Sequence, residues 1–225
     1  MTELTETASS DPAPPDHELR PEISKEQARK LLTFVGWVVL AAVLSLSVQS
    51  LVVKPYKIPS ESMTPTLQVG QRILVDRLSG RFSDPAVGDI IVFEAPFGFD
   101  EQRCGNPSEG LGTNTPCGKT VSDETLSMSF IKRVVGEPGD LIAIRAGRVV
   151  RNGQLVDEPF ADTACAEPEL CDFPAAVRVP DGHVYVMGDN RDGSNDSRFW
   201  GPVPRGWVIG QAFATYWPVN RIGGL

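Results

Sequence analysis

The sequence predicts a mostly β protein, an antiparallel β-sheet domain preceded by one transmembrane helix. Three observations predict it. An uncharged apolar run of 23 residues lies near the N-terminus, from Leu31 to Val53. The 225 residues include 21 glycines and 19 prolines, too many chain punctuators for a helical bundle and a sign of frequent turns. Beyond residue 54 the apolar residues fall into short runs of strand length, with no long stretch of helical period.

Taken in order, residues 1–30 are rich in Thr, Ser, Glu, Asp and Pro. They bury too little apolar surface to offset their ordering entropy, so this segment is expected to be a disordered tail. Residues 31–53 follow, flanked by Lys30 and Lys54. As a helix they extend about 34 Å, enough for a hydrocarbon core of about 30 Å. A cleaved secretory signal has a shorter apolar region and a basic leader, whereas this tail is acidic, so a retained anchor is expected. Arg20, Lys25, Arg29 and Lys30 precede the span, while only Lys54 and Lys57 follow closely. That bias predicts a single pass with a cytoplasmic N-terminus and an exported domain at 54–225, a length suited to one domain.

Strands are predicted at 71–76, 89–94, 130–135, 183–187 and 208–216, and a hairpin at 148–156 whose turn is Asn152-Gly153. Two loops, 95–129 and 161–174, carry the cysteines Cys104, Cys117, Cys165 and Cys171. An even count in an exported domain suggests two disulfides, for which three pairings exist. The nearest-neighbour pairing, Cys104 with Cys117 and Cys165 with Cys171, is favoured because each pair brackets a loop-like stretch. Their spacings are unlike those of structural zinc sites, and no metal is expected.

Composition excludes several functions. The net charge of -8 provides no electrostatic footprint for nucleic acid. With His17 in the tail and His183 inside an apolar run, histidine-based triads and polyhistidine metal sites have little to work with. A hydroxyl nucleophile would then need another base. Ser62 stands in the segment Ser60-Glu61-Ser62-Met63-Thr64-Pro65-Thr66-Leu67 just after the span. Lys132 lies between Ile131 and Val134 in an apolar strand, where desolvation lowers an amine toward neutrality. The plain alternatives are a stiff linker for the serines and a strand lysine turned to solvent.

Four segments resemble the successive conserved boxes of bacterial type I signal peptidases. They are residues 60–67, Gly88-Asp89-Ile90-Ile91-Val92-Phe93, Lys132-Arg133-Val134-Val135-Gly136-Glu137-Pro138-Gly139-Asp140, and Gly188-Asp189-Asn190-Arg191-Asp192-Gly193-Ser194-Asn195-Asp196-Ser197-Arg198. They occur in that family's order after an anchor. The resemblance implies Ser62 as nucleophile and Lys132 as general base, with Ser60 and the main-chain N–H of Ser62 at the oxyanion and Ser194 hydrogen-bonded to the Lys132 amine. It makes Asp189 with Arg133, and Asp196 with Arg198, supporting ion pairs. Ile58, Leu67, Phe130 and Ile131 become linings of shallow substrate pockets suited to Ala or Ser. Gly193 departs from the usual Asn, and one span rather than two is closer to the Gram-positive branch.

The implied activity is a serine endopeptidase that needs no cofactor and cleaves signal peptides from exported preproteins at the outer face of the bacterial plasma membrane. The phospholipid bilayer is a further partner, with Met63, Phe82, Phe97 and Phe99 expected to dip into it, and proximity to the secretion translocon follows. Rival readings are a self-cleaving Ser/Lys protease of the repressor type, which would need a DNA-binding region, and an anchored binding module without catalysis.

Overall fold

A computed structural model describes residues 24–78, 80 and 83–225, with side chains 48–51 left aside. Most of the tail therefore lies outside the described residues, as does Phe82. Helix α1 (Lys25–Val52) begins inside the stretch read as tail. The reason is a capping box. The Ser24 hydroxyl accepts from the N–H of Gln27 at 3.2 Å, and the Gln27 side chain accepts from the N–H of Ser24 at 3.1 Å. The Glu26–Lys30 pair, 2.9 Å apart, adds an exposed contact one turn on. The apolar part of this helix, Lys25–Ser47, is long and apolar enough to cross a membrane, and its apolar side chains are exposed.

The remaining unit is β-rich. Its strands are β1 (Val53–Lys57), β2 (Arg72–Asp76), β3 (Ile90–Pro96), β4 (Thr125–Gly136), β5 (Leu141–Arg145), β6 (Arg148–Arg151), β7 (Gln154–Leu155), β8 (Phe173–Arg178) and β9 (His183–Met187). A one-turn helix α2 (Ser197–Trp200) precedes β10 (Val203–Pro204), β11 (Val208–Trp217) and β12 (Gly223–Gly224). One antiparallel sheet runs β1-β2-β11-β3-β4-β9-β10, with β12 added to β11. A second runs β7-β6-β5-β8. The β6–β7 turn is Asn152-Gly153 as predicted, both at positive φ (55° and 81°), the geometry that matches strand twist in a two-residue hairpin.

At its central strands the first sheet is buried on both faces, as β3 makes plain. Ile91 and Phe93 enter a core shared with the second sheet through Ile142, Ile144, Val149 and Phe173. Ile90 and Val92 enter the other core, with Ile58, Met63, Leu67, Ile73 and Ile131. Strand β4 is central, between β3 and β9, so from Ile131 to Gly136 every residue is buried. A polar residue there has no solvent face to turn to. That is why Lys132, despite strand alternation, is only 4% exposed.

Several strands escaped the sequence reading. Strand β1 was hidden in the end of the apolar run, and β5 and β8 lack polar alternation because Leu141 and Ala143 in β5, and Pro174 and Ala176 in β8, stand where polar residues would mark the outer face. Strands β3 and β4 also extend into the expected loop at 95–129, and β8 into that at 161–174. The cysteine pairing is nearest-neighbour, Cys104–Cys117 and Cys165–Cys171, with Cα atoms 5.4 and 6.3 Å apart.

Candidate active site

The β1–β2 connection carries Ser60 and Ser62. It is pinned at three points: Ile58, Met63 and Leu67 are all at most 2% exposed, and each such burial stabilises by roughly 1.5–3 kcal/mol. Between these anchors the chain makes tight turns, with the N–H of Thr64 donating to the Glu61 carbonyl and that of Leu67 to the Met63 carbonyl. Burial of Met63 corrects the expectation that it reaches lipid. Phe99 is likewise packed edge-on against Phe130 at 4.7 Å, while Phe97 alone of the described candidates is well exposed.

From the central strand β4, the Lys132 amine donates to Ser62 Oγ at 2.7 Å. Both side chains are buried, and burial pulls the Lys132 amine down from 10.5 to about 8. Desolvation is the main cause. The Asp196 carboxylate works against it, Arg198 works with it, and Asp189 opposes it again. Ser60 Oγ lies 3.5 Å from Ser62 Oγ, at the outer limit of a hydrogen bond.

The turn after β9 closes the site. Asp189 takes a two-pronged hydrogen bond from Arg133, at 2.9 and 2.7 Å, and the Arg133 guanidinium lies 3.9 Å from the Phe160 ring centre. Asp196 receives Arg198 at 2.8 and 3.0 Å, and also the N–H of Gly188 at 3.0 Å. Burial alone would raise the Asp196 carboxyl, but Arg198 and the Gly188 N–H outweigh it and hold it below the usual carboxylate range. Both ion pairs implied by the resemblance are thus present and buried.

Ser194 departs from expectation. Its hydroxyl is buried and has no hydrogen-bond partner among the described residues, so the expected bond to the Lys132 amine is not made. The Lys132 amine is directed to Ser62, and Ser194 Oγ instead faces the α-carbon of Gly188. A side chain at Gly188 would lie 2.3 Å from both Ser194 Oγ and the Ser62 carbonyl oxygen, so only glycine fits between them.

Of the four expected pocket residues, Ile58, Phe130 and Ile131 line one cavity of about 30 Å³ together with Tyr56, Pro59, Ile73 and Val92. Leu67 does not line it; it is fully buried in the core below the serine segment. Four contacts were not anticipated. Thr66 donates to Asp189 at 2.5 Å, joining the serine segment to the Arg133 pair. Arg191 and Glu158, both buried, pair at 2.6 and 3.0 Å, and Arg191 also reaches the carbonyls of Gly188 and Gly147, so it ties the closing turn to the small sheet. Glu158 has no sequence signal; a spare arginine inside a box of paired residues was the only available hint. His183 lies at the start of β9 with Nδ1 against the Asp181 carbonyl, away from the serines. No cluster of metal-ligating side chains occurs among the described residues.

A serine hydroxyl bonded to a buried lysine with a lowered pKa is the pairing that hydroxyl nucleophiles use when histidine is lacking. The signal peptidase, peptidase S26, family profile matches residues 31–217. Signal peptidase I of Leptolyngbya laminosa is 37% identical over 218 residues, covering 96% of this chain and 95% of its own length. Probable signal peptidase I-1 of Synechocystis is 41% identical over 186 residues, 83% of this chain and 82% of that one. Signal peptidase I of Mycobacterium tuberculosis is 37% identical over 224 residues, 86% and 74% respectively. Matched by the family profile over most of its length and by relatives at 37–41% identity, this chain belongs to the signal peptidase family, peptidase S26.

Proposed function

We propose that this chain is a membrane-anchored endopeptidase that removes signal peptides from exported preproteins after an Ala-x-Ala-like site, with Ser62 as nucleophile and Lys132 as general base. The observation that carries the assignment is the 2.7 Å contact between the Lys132 amine and Ser62 Oγ, with burial holding that amine near 8. The neutral amine takes the Ser62 proton as Oγ attacks the scissile carbonyl. The resulting ammonium passes that proton to the leaving amine, and an acyl-enzyme remains. Lys132, neutral again, takes a proton from water, which attacks the ester and releases the product with Ser62 restored. Ser60 Oγ and the Ser62 N–H are assigned to the developing oxyanion.

A small cavity of about 30 Å³ lined by Ile58, Pro59, Phe130 and Ile131 supports a preference for small side chains. The anchor confines enzyme and signal helix to one bilayer, and the Lys/Arg bias before the apolar run supports an exported catalytic domain in the plasma membrane. Lipid contact and proximity to the translocon belong to the same proposal. The test is cleavage of a preprotein by the full-length chain in detergent. The wild type is expected to yield mature protein with the cut after Ala, and Ser62→Ala and Lys132→Ala none. Undiminished cleavage by both variants would sink the dyad, and an intact preprotein with the wild type would favour a binding module.

A further inference from the structure

The cysteine-bearing loops play no part in the chemistry above, yet both end on one residue, Arg198. Arg198 uses its whole guanidinium. Nε and Nη2 hold Asp196, Nη2 also reaches the carbonyls of Arg191 and Ser194, and Nη1 donates to the Leu170 carbonyl at 2.8 Å and faces Cys171 Sγ at 3.5 Å. Leu170 and Cys171 belong to the loop closed by Cys165–Cys171. The main chain of Arg198 meets the other loop. Its carbonyl accepts from the N–H of Cys117 at 3.0 Å, and the Trp200 carbonyl accepts from Val121 at 2.9 Å. These are terminal carbonyls of α2 that have no partner within the helix, so it is capped by Cys117 of the bridged loop and by Val121 just after it.

A bridge spanning six residues restrains the unfolded chain little, because loop-closure entropy grows with loop length. Its effect in the folded state is local: it keeps the Leu170 carbonyl and Cys171 against a guanidinium that is 0% exposed. Through Asp196, that guanidinium fixes the N–H of Gly188, and Gly188 separates the Ser62 carbonyl from Ser194.

We propose that the two cystine-bridged loops are positioning elements of the peptidase site, acting through Arg198, so that cleavage requires both bridges. The proposal rests on the Ser62–Lys132 reading. Freed of its clamps, Arg198 releases Asp196 and the Gly188 turn and admits water to Lys132. Burial is the largest cause of the lowered amine, while the opposed influences of Asp196 and Arg198 are loosened together, so admitting water favours the ammonium and the acid limb of the pH profile moves to higher pH.

The experiment uses the full-length chain in detergent with a preprotein substrate. It compares oxidised wild type, wild type reduced and alkylated, Cys165→Ala/Cys171→Ala, Cys104→Ala/Cys117→Ala, and Arg198→Lys with both bridges intact. Near-UV circular dichroism reports folding. Each altered form is expected to lose about ten- to a hundredfold in kcat with KM within about twofold, the range for a displaced catalytic group, and to shift its acid limb to higher pH. Wild-type kcat and an unmoved limb in the bridge variants would overturn the proposal. So would losses confined to forms that have unfolded, with Arg198→Lys retaining the wild-type profile. An inactive oxidised wild type would instead sink the dyad reading, and this one with it.

Discussion

Replacing Lys132 by Met separates what the buried amine does for chemistry from what it does to stability. Met is close in length, suits the apolar surroundings and carries no charge. Holding the amine at about 8 rather than 10.5 penalises the folded state by about 3 kcal/mol while the group is charged, at 1.36 kcal/mol per unit. The sign follows from proton counting. Below pH 8 both states are protonated and the full penalty applies. Between about 8 and 10.5 the unfolded chain holds the proton that the folded one has released, so stability rises with pH. Above 10.5 neither state is charged and the penalty is gone. Losing the hydrogen bond to Ser62 returns about 1 kcal/mol, so Lys132→Met should be about 2 kcal/mol more stable at pH 7. For a domain of this size that raises Tm by about 4–8 °C. The assay is urea unfolding followed by tryptophan fluorescence at pH 7, 9 and 10.5, paired with preprotein cleavage, which should be abolished. The advantage should shrink steadily across that range. A variant no more stable than wild type at pH 7, or a gap indifferent to pH, would refute the burial argument.

The same amine sets the pH profile of the wild type: kcat/KM should fall tenfold per unit below about pH 8, and a limb near 6 would point to another base. Gly188→Ala puts a Cβ 2.3 Å from two oxygens at the site, so kcat should drop about a hundredfold with a stability loss of about 1–3 kcal/mol, read by cleavage and thermal melting. Arg191→Met leaves Glu158 buried without its partner and should destabilise by about 3–5 kcal/mol, with Arg191→Met/Glu158→Met recovering much of the loss in urea unfolding. Ser60→Ala should lower kcat about ten- to a hundredfold with KM nearly unchanged, as expected when a donor acts on charge that exists only in the transition state; a pure KM effect would reassign it to substrate binding.

How much of the site was legible depended on how local each signal is. The Asn152-Gly153 turn, the body of the apolar helix and the strands at 72–76 (expected at 71–76) and 183–187 are encoded by neighbouring residues and were legible in the sequence. The helix start was missed because its capping box at Ser24 and Gln27 lies among polar residues that otherwise suit a tail. Lys132 was ambiguous in isolation, since alternation alone favours a solvent-facing lysine; four boxes in family order raised it above that reading. Phe99 and Met63 were misplaced because an apolar side chain near a membrane helix fits a core and a lipid surface equally well, and only packing separates the two.

By itself, then, the sequence determined the apolar helix, the β class, the shortage of histidine, and the four segments that carry Ser62, Lys132 and the two ion pairs. The tertiary structure alone decided that β4 is central and covered on both faces, and this placement buries the Lys132 amine and lowers it to about 8. It also decided that Ser194 faces Gly188 rather than the amine, that Glu158 answers Arg191, and that both cystine loops meet at Arg198. Desolvation and long-range pairing depend on which segments are stacked against one another in space, and no local pattern of residues records that.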